Sequence, residues 1–412
     1  MQVRRNAFPK YVLNNYFIST ISVFIIFQYL LSFVFVISGL PDNLPLYLRD
    51  LSFFVLFLMI FTKTQFRLLI HERYLLLYFL ASIAIVLKST SLSSSILSLR
   101  LYVMPFLLYC IGRYVIPERF KISLFFDVIT FIFLLVGFFF LILSFNDELF
   151  NSVKNSSLGP LFSKGNLYVY QANGDRYHRY FGPFLDPLAT AFFIVPLISF
   201  YYFNPKNLKS GMFLTLLSLY LLLTMTKAVI GSVLVVFLLI QKKNSRWKIS
   251  TKLLFYIIPA LFIFIIFFYE ILIENASPST YGHLFAYYSN VRAFIKNPMG
   301  YGYFRFSDNL PIEFYSTESI YFSIILEQGI LVFMIFASFI LKLLSYLKSQ
   351  INIDTNNVIL YCSLCIYLIA SFTTEHFFAT TSSFVFWLIL GHMASKNSQY
   401  DTEHHNRGYS CM

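Results

Sequence analysis

Residues 122–145 read Ile-Ser-Leu-Phe-Phe-Asp-Val-Ile-Thr-Phe-Ile-Phe-Leu-Leu-Val-Gly-Phe-Phe-Phe-Leu-Ile-Leu-Ser-Phe, with Asp127 the one charge in the run. A bilayer core about 30 Å thick needs roughly 20 apolar residues at about 1.5 Å rise each. By length and composition this stretch therefore reads as a membrane-spanning helix. The rest of the chain is of the same kind: of 412 residues, 58% are hydrophobic, 20% aromatic and only 12% charged. Soluble domains run near 45–50% apolar and about 25% charged, so a soluble globular protein is excluded. A disordered chain and a disulfide-rich secreted chain are excluded with it.

Working outward, further apolar runs occur at 17–39, 46–62, 74–90, 96–112, 185–203, 211–225, 226–240, 253–271, 319–341, 357–373 and 378–394. The expected fold is an all-α integral membrane protein of about 12 transmembrane helices, one polytopic domain over residues 1–412. Arg4, Arg5 and Lys10 precede a first run too long for a signal-peptide core, so that run is expected to stay as an anchor. With the N-terminus inside, the inside segments hold Lys63, Arg67 and Arg73; Arg113, Arg119 and Lys121; Lys206 and Lys209; Lys242, Lys243, Arg246, Lys248 and Lys252; Lys342 and Lys348; Lys396 and Arg407. Basic residues collect on the cytoplasmic side, so both termini are expected there. The stretch 211–240 is long for one helix and short for two. Its basic flanks demand an even number of crossings, which predicts two short helices meeting at Thr226–Lys227. The net charge of +12 is thus mainly a topology signal, and no nucleic-acid partner is implied. Cys362 and Cys365 lie in an apolar helix, where packing is expected in preference to metal or redox chemistry.

The basic residues that oppose this pattern mark the expected chemistry. Many sit in two long segments, 146–184 and 272–318, which the topology turns outward and whose composition suits folded caps with some helix. The first ends Gly174-Asp-Arg-Tyr-His-Arg-Tyr-Phe-Gly-Pro-Phe-Leu-Asp-Pro187, with Arg176, His178 and Arg179 close together. Arginine presents a planar fork of donors suited to phosphate oxygens. Asp186-Pro187 reads as a helix start, Asp as cap and Pro at the first helical position. The second segment predicts an amphipathic helix over 282–296 ending at Asn297-Pro298, with Arg292 and Lys296 on one face. Gly300 and Gly302 then permit a tight return, and Glu318 opens the tenth span. Glu327 lies roughly 13 Å deeper by helical rise, a structural position. Arg100 and Lys227 fall within apolar surroundings, where a cation normally faces a partner or a wet cavity.

At these residues the chain resembles the O-antigen polymerase and ligase superfamily. Four pieces carry the likeness: Arg179-Tyr-Phe-Gly182 with Phe184-Leu-Asp-Pro187; Leu223-Thr-Met-Thr-Lys227; Arg292-Ala-Phe-Ile-Lys-Asn-Pro-Met-Gly-Tyr-Gly302; and Glu318-Ser-Ile-Tyr321 running to Leu326-Glu-Gln-Gly329. The family usually has Thr-x-Ser-Arg where this chain has Thr224-Met-Thr-Lys227. Its ligases carry His where this chain has Glu318, so the resemblance favours a polysaccharide repeat-unit polymerase.

The resemblance implies a GT-C-like glycosyltransferase in the bacterial cytoplasmic membrane, acting on its outer face. Its substrates would be undecaprenyl-pyrophosphate-linked oligosaccharides, polymerised into O-antigen, capsular or exopolysaccharide chains. Membrane lipid, a chain-length regulator and a flippase are the further partners it admits. Arg176, Arg179 and Arg292 are expected to grip the pyrophosphate, with Lys227 and Arg100 as deeper helpers. Glu318 is the expected base for the acceptor hydroxyl, with His178, His283, Glu375 and His376 as alternates. No cofactor and no metal are expected, since Asp175, Asp186 and Asp308 are scattered. The alternatives are an O-antigen ligase and, in a different class, a lipid-linked oligosaccharide flippase or transporter.

Overall fold

A computed structural model describes residues 31–32, 34–38, 40–41, 44–61, 68–89, 92–116, 120–155, 168–170, 176–205, 208–243, 246–249, 278–304, 319–352, 354–374, 376–378 and 380–408. Within them the chain is helical apart from two short antiparallel hairpins. We label the elements α1 (Leu44–Phe61), α2 (Ile70–Ile85, continued by a 3-10 turn Val86–Lys88), α3 (Leu92–Tyr114), α4 (Ile122–Phe145) and α5 (Asp147–Lys154). The first hairpin, β1 (Tyr168–Tyr170) with β2 (Arg176–His178), leads into α6 (Pro187–Phe203), α7 (Leu208–Leu223) and α8 (Lys227–Leu239). The second, β3 (Ile240–Lys243) with β4 (Arg246–Ile249), occupies part of the basic segment after α8. There follow α9 (Pro278–Lys296), α10 (Ile320–Gln328), α11 (Ile330–Gln350), α12 (Thr355–Ala370) and α13 (Thr380–Gly408). The expected span 253–271 and most of 17–39 lie outside the described residues.

Among the described residues, four helices are long and apolar enough to cross a membrane: Ile70–Lys88, Ser95–Tyr114, Ile122–Phe145 and Ile330–Gln350. Helix α4 shows what surrounds them. Phe125, Phe126, Ile129, Phe133, Val136 and Phe140 form its buried stripe, while Phe131, Leu135, Phe138 and Phe139 on the opposite side are exposed. A helix apolar all round cannot leave such a face to water; hydrocarbon is the solvent it fits. Helices α6, α7, α8 and α12 are apolar but shorter, so the count of twelve stands as an expectation and the helical membrane character as the finding.

Side-chain contacts sort the helix ends into two groups. At one end Asp127 accepts from the Tyr201 hydroxyl and from Lys209 Nζ, both at 2.9 Å, tying α4, α6 and α7. Glu72 pairs with Arg113, His71 lies against Tyr346, and Lys396 reaches Asp354 at 2.9 Å. At the other end meet the 3-10 turn after α2, the start of α3, the end of α4, the starts of α6, α8, α10 and α13, and the ends of α7 and α12. Described residues in or beside five of the segments expected inside, at 71–72, 113, 209, 346–354 and 396, thus make their contacts at the first end, and the ends of the two long segments expected outside meet at the second.

One expected span is broken. The run 319–341 predicts a single helix, yet α10 stops at Gln328 and α11 starts at Ile330. The cause is the segment after α9, which lies against the break as an extended strip. Tyr301 N–H donates to Leu326 O at 2.7 Å, Gly302 N–H to Glu327 O at 3.0 Å, and Ile330 N–H to Pro298 O at 2.9 Å. Gly329 has φ 89°, a left-handed conformation that glycine adopts without penalty. A Cβ on Gly300 would lie 2.6 Å from Gly329 N, so both positions are held to glycine by their mutual approach. Lys88 Nζ closes the strip by donating to Met299 O at 2.8 Å and Gly300 O at 2.5 Å.

Candidate functional site

The second end of the bundle carries the residues of interest, and a helix break builds its centre. Helix α7 ends at Leu223 and α8 begins at Lys227, which places the interruption of 211–240 where the sequence predicts it. A helix terminus leaves carbonyls unsatisfied, and in an apolar surround each needs a partner. The chain entering α6 supplies two: Tyr180 N–H donates to Leu223 O at 3.0 Å and Arg179 Nε to Thr224 O at 2.8 Å. Thr224 Oγ1 donates to Leu221 O at 2.6 Å and lies 2.8 Å from Thr226 Oγ1. Met225 between them has φ 52°. A non-glycine residue held left-handed costs about 1–3 kcal/mol and concentrates at functional sites.

Arg179 is therefore buried against the break, its guanidinium oriented by the Nε bond. Burial lowers its pKa and the Asp186 carboxylate opposes that shift; an arginine remains charged throughout. Lys227 is exposed in the first turn of α8. A cation there adds to the positive end of the helix dipole, a placement that costs stability unless an anion answers it.

Asp186 behaves as its sequence predicts and does one thing more. Its Oδ1 accepts from Leu188 N–H at 2.9 Å, capping α6. Its Oδ2 lies 2.7 Å from Nε2 of His376, in the 3-10 turn His376–Phe378 before α13. Leu185, one residue earlier, also has a positive φ, 53°.

The remaining expected residues are placed differently. Arg292 is exposed on α9, its guanidinium 5.6 Å from the Tyr288 ring centre, within cation–π reach. Helix α9 ends at Lys296, next to Asn297-Pro298 as predicted, and Tyr287 donates to the Phe372 carbonyl in the turn that leads to His376. Arg100 is not a cation awaiting a ligand: its Nε lies 2.5 Å from Asp50 Oδ2, and Arg49 pairs with the same carboxylate at 2.8 Å. Asp50 lies 50 residues earlier on α1, so the sequence offers no sign of that pairing. Arg176 lies in β2, opposite Tyr170. Glu318 lies outside the described residues; Ser319 beside it donates to Ser371 O at 3.0 Å.

Glu327 is buried, accepting from the Tyr102 hydroxyl at 2.6 Å and from Phe304 N–H at 3.3 Å. It joins the strip to α3, the structural role expected of it. Of the predicted set, then, Arg179 is seated on the α7–α8 break, and Lys227 begins the helix three residues beyond its Thr224 contact. The Asp186–His376 contact brings together residues 190 apart in sequence. Sequence spacing could not show this, although Asp186 is expected as a helix cap and His376 as an alternate base on the short turn before the last span. No family model, curated protein or solved structure matches the chain.

Proposed function

We propose that the protein is a membrane glycosyltransferase that polymerises lipid-pyrophosphate-linked oligosaccharide repeat units on the outer face of the bacterial cytoplasmic membrane. The observation that carries this reading is the seating of Arg179 on the Thr224–Lys227 break. Two of the segments that resemble the polymerase family, 45 residues apart in sequence, meet there. Their meeting sets a guanidinium beside the segment that leads into the N-terminus of α8, whose first residue is Lys227, so that positive potential is gathered around the break. A pyrophosphate is the kind of anion such a focus suits.

The chemistry asked of this site is modest. Pyrophosphate is a good leaving group, so positioning and stabilisation of the charge that develops on it dominate catalysis. Arg179 and Lys227 would face that charge, and Arg292, exposed on α9, would grip the headgroup on its solvent side.

The test is Arg179→Ala and Arg292→Ala, each expressed in a strain lacking the native protein and scored for long-chain glycan at matched protein abundance. Each substitution should reduce polymer by about 10²–10³-fold, the loss typical of removing one donor to developing charge. Normal chain length in Arg179→Ala would end the proposal. Transfer of preassembled glycan to a lipid A core would make the protein a ligase, and movement of lipid-linked units without new bonds a flippase.

A further inference from the structure

We propose that His376 is the base that takes the proton of the acceptor hydroxyl, with Asp186 as its positioning residue. This inference rests on the polymerase reading and deepens it. Both oxygens of Asp186 are engaged, Oδ1 by Leu188 N–H and Oδ2 by His376 Nε2 at 2.7 Å, so the carboxylate cannot swing away from the ring. An ionised carboxylate only accepts; Nε2 therefore carries the hydrogen, and Nδ1 of the neutral ring carries the lone pair. Among the described residues Nδ1 has no hydrogen-bond partner, although it is shielded from solvent. A buried polar atom left without a partner costs about 1–3 kcal/mol, and a hydroxyl donor would remove that cost.

The surroundings keep the ring in place without sealing it. The His376 carbonyl accepts from Ser382 Oγ at 2.8 Å, and Phe192 backs the ring at 6.0 Å between centres. The side chain retains 22% exposure through atoms other than Nδ1, so the acceptor hydroxyl reaches Nδ1 only as the groups covering it shift on binding. Asp186 follows Arg179 by seven residues and interacts with its charge. The dyad thus borders the cation that would hold the donor's pyrophosphate.

The step balances as follows. The acceptor oxygen bonds to the anomeric carbon of the donor while its proton passes to Nδ1. The bond from that carbon to the phosphate oxygen breaks, and the electron pair leaves with the lipid pyrophosphate toward Arg179. The imidazolium so formed is stabilised by Asp186 and later returns its proton to water.

The experiment uses full-length protein in proteoliposomes, fed lipid-linked repeat units extracted from a strain that lacks the polymerase. His376→Gln retains an N–H that can reach Asp186 and so preserves the tie between α6 and the turn. It should lower kcat by about 10²–10⁴-fold, the range of general-base catalysis, with KM and melting temperature unchanged. His376→Ala should recover part of its rate when imidazole is added. Asp186→Asn retains a cap for α6 but turns an amide N–H toward Nε2. The ring hydrogen then moves to Nδ1, and kcat should fall while the protein stays folded. Wild-type rates in His376→Gln, or a rate loss in His376→Ala that imidazole does not relieve, would overturn the proposal. Loss in Glu318→Gln combined with full activity in His376→Gln would assign the base to Glu318 instead. If folded wild-type protein makes no polymer from these units, the polymerase reading itself fails and the dyad's role with it.

Discussion

Arg113→Ala should destabilise the protein by about 3–5 kcal/mol, the usual cost of breaking a buried ion pair from one side. Arg113 stands in the last turn of α3, with its Nε 2.8 Å from Glu72 Oε1, and both side chains are nearly fully buried. Glu72 is held from two further directions, and one of its partners is itself in contact with His71. The Tyr109 hydroxyl donates to the same oxygen at 2.5 Å, Leu69 N–H donates to Oε2 at 2.6 Å, and His71 Nε2 lies 3.0 Å from the Tyr109 hydroxyl. Removing the guanidinium leaves a carboxylate in this enclosed site with hydrogen bonds but no countercharge. The check is a melting curve in detergent on Arg113→Ala, Glu72→Gln and the double variant Glu72→Gln/Arg113→Gln. The double variant should be more stable than Arg113→Ala, because it leaves neither charge buried alone. Equal melting temperatures for wild type and Arg113→Ala would show that the pair contributes nothing to the fold.

That pair also marks the boundary of what the sequence makes legible. Arg113 reads correctly as a cation at the end of a helix, and its end of the bundle is the one where described residues of other segments expected inside make their contacts. Its partner lies 41 residues earlier, just ahead of the preceding span, and nothing local to either residue signals the contact. Elements set by apolar length or by local turn chemistry are legible: α4, the cap at Asp186, the end of α9 at Asn297-Pro298 and the α7–α8 break. The split of α10 from α11 is not. It depends on a strip of backbone from residues 298–302 lying against residues 326–330, and backbone hydrogen bonds between distant segments carry no residue code. A glycine in a hydrophobic run is too common to announce a break by itself.

The candidate site divides along the same line. Arg179 stands out as part of a basic cluster in an outward-turned segment, and Lys227 because a cation is expensive in apolar surroundings, whatever it touches. Arg100 stands out for the same reason, yet its charge is answered by Asp50. Cost marks a residue as requiring a partner without saying whether protein or ligand supplies it. His376 has no such mark, since a single histidine in a short turn is unremarkable until its carboxylate is found. The Arg179 contact with Thr224 O has a consequence of the same sort. Because Arg179 also satisfies the end of α7, a conservative Arg179→Lys variant separates fold from chemistry better than alanine does.

Gly391→Ala should be the most damaging single-methyl change in the bundle. Helices α3 and α13 pack backbone to backbone, with Gly112 and Gly391 at the closest approach. A Cβ added at Gly391 would overlap the Tyr109 carbonyl oxygen and lie 2.8 Å from Arg113 N; one added at Gly112 would overlap the Leu388 carbonyl and lie 3.2 Å from the Gly391 Cα. Small residues permit such contact between helices in a membrane. The obstructing atoms here are backbone, which cannot rotate aside as a side chain would. The helices must therefore separate, and Tyr109 and Arg113, which hold Glu72, would move with α3. Overpacking ordinarily costs about 1–3 kcal/mol; added to a disturbed ion pair, the loss should exceed that range. Folded yield and melting temperature in detergent should fall at least as far as in Arg113→Ala. The same methyl at Gly211 or Gly231, where a Cβ meets nothing within 4 Å, should have little effect. If Gly391→Ala melts with the wild type, α3 and α13 do not approach as closely as described here, and the enclosure around Glu72 loses its second wall.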